Sequence, residues 1–166
     1  MTEYRRVVVE VWPVAADPAA VWLLGDDALY SDPIPQDTPA HFEVENLLTD
    51  AGYRSVPVLH STSWREDGPW TILTYIAAVD SGGQDVLARW PDAIPVTAIQ
   101  MADVGKPPVH GANERPEPRN VDVLVHALRH LAHLKMYDDE AAAALPEAWD
   151  KHLAELEPAL AGLYCR

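Results

Sequence analysis

Cysteine is nearly absent. Cys165, the penultimate residue, is the only one. An internal disulfide framework and a cysteine-based zinc site are therefore excluded, and a reducing compartment fits. A thiol beside a fraying end has no fixed partner base, so a cysteine nucleophile is not expected. Basic residues are scarce as well. Twelve Lys and Arg stand against 26 Asp and Glu, giving a net charge of −14. Such a surface repels phosphate backbones and anionic bilayers, which argues against duplex nucleic acid or a membrane as partner. No apolar run approaches the ~20 residues that span a bilayer. The opening Met-Thr-Glu-Tyr-Arg-Arg leads into an alternating segment without the apolar core of a signal peptide, so a cytoplasmic location is expected. Gly-x-Gly-x-x-Gly, a phosphate-binding glycine loop and a Gly-x-Ser-x-Gly elbow are all missing.

What is present is punctuated clearly. Residues 5–12, rich in β-branched side chains, predict a strand, with a turn at Pro13 and Asp17-Pro18. Residues 20–24 predict a second strand, and the prolines at 33, 35 and 39 a loop. Residues 56–64 and 70–79 read as a hairpin around Asp67-Gly68, the second strand being the most apolar and central. A shorter strand is expected at 94–100. Residues 105–118 hold four prolines and form a long loop. Helices follow at 120–136, 138–145 and 147–157. The order predicts a single domain over residues 1–166. Its fold class is α/β (α+β), a mixed sheet sandwiched by helices, with a strand and helix core over 1–104 and a helical C-terminal part from 119.

Residues 37–53 carry the most information. Thr38 is a candidate N-cap, and Pro39 suits the first helical position. Val44, Leu47, Leu48 and Ala51 recur at helical spacing, and Gly52 suits the left-handed position after the helix. In its surroundings this segment resembles the Nudix hydrolases. Their signature is a Gly, then a Glu, then Arg-Glu-aliphatic-x-Glu-Glu-x-Gly-aliphatic. Anchored on Gly52, it covers residues 31–53. Leu47 and Gly52 match, and Tyr53 fills the last bulky position. Asp37 and Asp50 replace glutamates, Ser31 replaces the first Gly, Glu45-Asn46 replaces Arg-Glu, and Thr49-Asp50 replaces Glu-Glu. The resemblance implies a Nudix-like fold and, in an active member, Mg²⁺ held by carboxylates of this helix for diphosphate hydrolysis. Here Asp50, with Glu43 seven residues earlier and Asp37 before the helix, would be the metal-binding and catalytic set. Asn46, Thr49 and Asp50 are expected to share one face. So few carboxylates predict a catalytically impaired domain that binds a small nucleotide-like ligand or a protein partner, with no cofactor. The alternative is a divergent Mg²⁺-dependent hydrolase of nucleoside diphosphate derivatives.

Two further groups stand out. In the proline-rich loop, His110 and Asn113 with Arg115 and Arg119 form a candidate ligand-binding set for a phosphate or carboxylate. On the first tail helix, His126, His130 and His133 form a stripe that reads as a solvated or interface face, or as a transition-metal site. That stripe and Trp149 also suggest a homodimer through the C-terminal helices. His60 and Ser61 are strand neighbours pointing to opposite faces, so they form no catalytic pair.

Overall fold

The computed structural model describes residues 6–96 and 120–160. Among them are six strands, β1 (Arg6–Ala16), β2 (Val21–Leu23), β3 (Leu29–Tyr30), β4 (Val58–Asp67), β5 (Trp70–Ala78) and β6 (Ile94–Pro95). The helices are α1 (Ala40–Asp50), α2 (Val86–Arg89), α3 (Asn120–Tyr137), α4 (Asp139–Ala144) and α5 (Trp149–Ala154). The fold is α+β, a mixed sheet with C-terminal helices. No helix among the described residues is long and apolar enough to cross a membrane.

The sheet runs β4-β5-β1-β2-β6, with β3 also on β1. β1 is parallel to β5 and antiparallel to β2 and β3, and β4–β5 is the expected hairpin. Its turn places Gly68 at φ 54°, a conformation a residue with a Cβ seldom adopts. β1 continues through Pro13, where the sequence predicted a turn. The Pro13 carbonyl accepts from the Leu24 N–H at 2.9 Å. The N–H that proline lacks belongs to the same edge of β1, at the break between β3 and β2, so no ladder bond is lost.

Strand alternation divides the core. Val9, Val11, Tyr75 and Ala77 face α1, which inserts Val44 and Leu48. Trp12, Val14, Ile76 and Ala78 face the tail, where Leu124, Leu128 and Leu131 of α3 and Trp149 of α5 cover them. Trp149 is fully buried and fastens the tail to the domain.

The start of α1 departs from expectation. Pro39, not Thr38, is the flanking residue, with extended backbone and no side-chain cap. A residue before proline is itself driven extended, so Thr38 lies one position too early. The end of α1 is as expected: Gly52 has φ 88°. The Gly52 N–H donates to Thr49 O, and the Tyr53 N–H to Leu48 O at 2.8 Å, the paired bonds of a Schellman motif. β6 accounts for the start of the strand expected at 94–100. The remainder, the loop at 105–118 and Cys165 lie outside the described residues.

Candidate functional site

Between α1 and the segment leading into β4 lies a cleft of about 660 Å³. One flank of α1 supplies His41, Phe42, Glu45, Asn46 and Thr49, and the far wall supplies Arg54, Pro57 and Leu59. His41 Nε2 lies 3.4 Å from Glu45 Oε1, one helical turn away, and both side chains are exposed. The His41 ring also lies 6.4 Å from that of Tyr75, which fixes the cleft over the sheet. Phe42 is 61% exposed, an apolar ring left uncovered at the rim.

Asn46 and Thr49 line this cleft together. Asp50 does not join them, contrary to expectation, and neither does Glu43. Taking about 100° per residue and Val44 as the core direction, Glu43 and Asp50 fall on the opposite flank of α1 from His41, Glu45 and Thr49. They are also seven residues apart, about 10 Å along the helix axis. Asp37 is exposed in the turn before α1. Mg²⁺ requires several oxygens converging at octahedral positions. No group of three His, Cys, Asp or Glu side chains among the described residues is close enough to hold a metal ion. The donors of this helix do not fit the metal that the resemblance implies.

The other face of the sheet holds buried ionisable groups. Glu10, in the middle of β1, is fully buried. Arg65 of β4 grips it with both guanidinium arms, Nη1 to Oε1 at 2.8 Å and Nη2 to Oε2 at 2.6 Å. The Thr74 hydroxyl of β5 donates to Glu10 Oε1 at 2.8 Å. Burial by itself would raise the Glu10 carboxyl, but the hydrogen bond and charge of Arg65 and the Thr74 hydroxyl outweigh it and hold it below the ordinary carboxylate value. Tyr30, its partner on β3, is pushed above the usual phenol value by burial and by the charges of Glu10 and Asp27. This network was overlooked in the sequence. The available signal was a glutamate at an inward position of a β-branched run, where a central strand has no solvent to offer it.

Beside it, His130 of the histidine stripe turns inward, while His126 and His133 stay half-buried. His130 is buried and meets His60 of β4 edge to face, ring centres 4.8 Å apart. His133 lies 6.5 Å from His130 and stacks on Tyr137. His130 Nδ1 is buried without a hydrogen-bond partner, while the ring is bonded to the Thr62 backbone. Burial, then the neighbouring His60 and His126, push His130 down to about 4. Burial also lowers His60, against the pull of Asp138, and lowers His126, helped by Arg129. His130 is thus a packing residue, and no group of three metal-ligating side chains forms here among the described residues. His130 and Trp149 are both buried within the chain, while His126 and His133 are half-buried.

No family model, curated protein or solved structure matches this chain. His110, Asn113, Arg115 and Arg119 lie outside the described residues. None of the expected site residues lines the α1 cleft, which gathers other side chains of the same helix.

Proposed function

We propose that this chain is a ligand-binding domain with a Nudix-like layout, in which the flank of α1 that meets the cleft has become a recognition surface. The supporting observation is the chemistry of that flank. Where a Nudix helix would offer converging glutamates, the cleft offers one carboxylate, Glu45 beside His41, with the neutral hydrogen-bonding groups of Asn46 and Thr49 and with Arg54 on the far wall. Arg54 supplies the guanidinium fork that reads a phosphate, and the surrounding net charge of −14 makes such a local cation necessary for any anion. Asn46 can both donate to and accept from the edge of a base. The exposed Phe42 ring offers a stacking surface. These features suit a nucleoside monophosphate-sized ligand bound without metal.

Calorimetric titration with nucleoside mono- and diphosphates in EDTA tests the reading. Saturable binding that Arg54→Ala and Asn46→Ala each weaken is the expected result. Absence of binding by every nucleotide overturns it. Turnover of a nucleoside diphosphate derivative in Mg²⁺ that disappears in Asp50→Ala overturns it in favour of a hydrolase.

A further inference from the structure

The stripe of α1 that lines the cleft carries Phe42, Glu45 and Asn46 at spacings of three and four. Side chains so spaced stand next to one another on a helix. An aromatic ring therefore lies beside a carboxylate and an amide, and Arg54 stands on the far wall. Phe42 is exposed, so its ring is open to a flat partner. A base resting on that ring presents its edge to Glu45 and Asn46 together.

The two polar groups differ in what they can bond. The Glu45 carboxylate only accepts, while the Asn46 amide both donates and accepts. His41 Nε2 lies 3.4 Å from Glu45 Oε1, one turn earlier on the same helix. That contact holds the carboxylate along the helix. A carboxylate has about four lone-pair sites, so one such contact leaves room for two more donors.

Base edges are told apart by the order of their donors and acceptors. Guanine places the acceptor O6 beside two adjacent donors, N1–H and the N2 amino group. Adenine and cytosine place an amino group beside a ring nitrogen that accepts. Uracil places one N–H between two carbonyls. Guanine alone of the four offers a carboxylate two neighbouring donors, with O6 next to them for an amide N–H. Against adenine or cytosine, one carboxylate oxygen faces a lone pair and is left unbonded, which selects against them.

Resting on the nucleotide reading of this cleft, we propose that it selects guanine, with Glu45 as the specificity-determining residue. The base stacks on Phe42. Glu45 accepts from N1–H and the N2 amino group, and Asn46 donates to O6. Arg54, on the opposite wall, holds the phosphate.

Calorimetric titration of the full chain with guanosine, inosine and adenosine monophosphates in EDTA tests the proposal. The guanosine nucleotide is expected to bind at least about fivefold more tightly than the adenosine one. The inosine nucleotide, which lacks only the N2 amino group of guanine, should fall between them. Glu45→Gln exchanges one acceptor for a donor, which matches the donor and acceptor edge of adenine. It should weaken the guanosine nucleotide several-fold and strengthen the adenosine one, whereas loss of a merely structural contact weakens both alike. Glu45 and His41 are both exposed, so the variant keeps the fold. Equal binding of guanosine and adenosine nucleotides, both weakened by Arg54→Ala, overturns guanine selection and leaves the nucleotide site standing. A guanosine preference unchanged in Glu45→Gln overturns the role of Glu45. Absence of binding by every nucleotide overturns the site and its selectivity together.

Discussion

The two faces of the sheet carry opposite arrangements of polarity. On the α1 side the interior is apolar apart from the Tyr75 phenol, and the charged groups of α1 stand on the outer flanks of the helix, where water reaches them. On the tail side the polarity is inside: the Glu10 carboxylate and His130 are buried, each against a half-buried partner from β4, Arg65 and His60. The difference teaches where function and where acid sensitivity reside. Groups on the α1 flanks can be exchanged for ligand contacts at little cost to folding. Groups on the tail side are committed to one another, and their removal is felt by the whole fold.

The largest test of that contrast is Arg65→Met. It leaves Glu10 buried without its counter-charge, though still bonded by the Thr74 hydroxyl, and a loss of about 3–5 kcal/mol is expected in chemical denaturation. Replacing Glu10 by Leu in the same chain should restore most of it, since an apolar pair removes the stranded charge. On the other face, Leu48→Ala should cost ~2–5 kcal/mol through a simple cavity, with no partner able to rescue it.

Acidity gives the next effect. The folded-state value of His130 lies below that of the unfolded chain, so the unfolded chain binds the proton first as pH falls. Stability is full above about pH 6.5 and declines toward pH 4, with a slope of up to about 1.4 kcal/mol per pH unit for one proton. His60 and His126 shift the same way and add to it. Glu10, held low by Arg65, contributes stability above the unfolded carboxyl value, and that is lost only at still lower pH. Denaturation series between pH 8 and 4 should show this decline, and His130→Phe should flatten it. The smallest effect belongs to the α1 flank. Thr49→Ala should change stability by less than ~0.5 kcal/mol while weakening nucleotide binding, a split visible by running both measurements on one sample.

Much of the fold could be read from the chain because its signals are local. Gly52 at the end of α1, Asp67-Gly68 in the hairpin and the apolar spacing of α1 and α3 each depend on a few neighbouring residues. The site was less legible. Helical spacing alone put Asn46, Thr49 and Asp50 on a common face, but which flank of α1 meets the cleft depends on where β4 enters. The sequence also left the Glu10–Arg65 pair unseen, since its members are 55 positions apart and meet only when β5 lies between them. A 3.6-residue period marks the histidines as a solvated or interface face, or a metal site, without saying that β4 of the same chain will cover His130.

The irregularity in β4 decides that pairing. Ser61 stands opposite Tyr75 and Ser63 opposite Thr74, so Thr62 is an extra residue in the ladder. Had Thr62 paired with Thr74 in unbroken register, Arg65 would sit across from Thr71 and project toward the α1 side. One inserted residue therefore acts as a phase shifter. It inverts the inside and outside of the last part of β4, and the same residues paired in unbroken register would put the guanidinium on the wrong face of the sheet from its carboxylate.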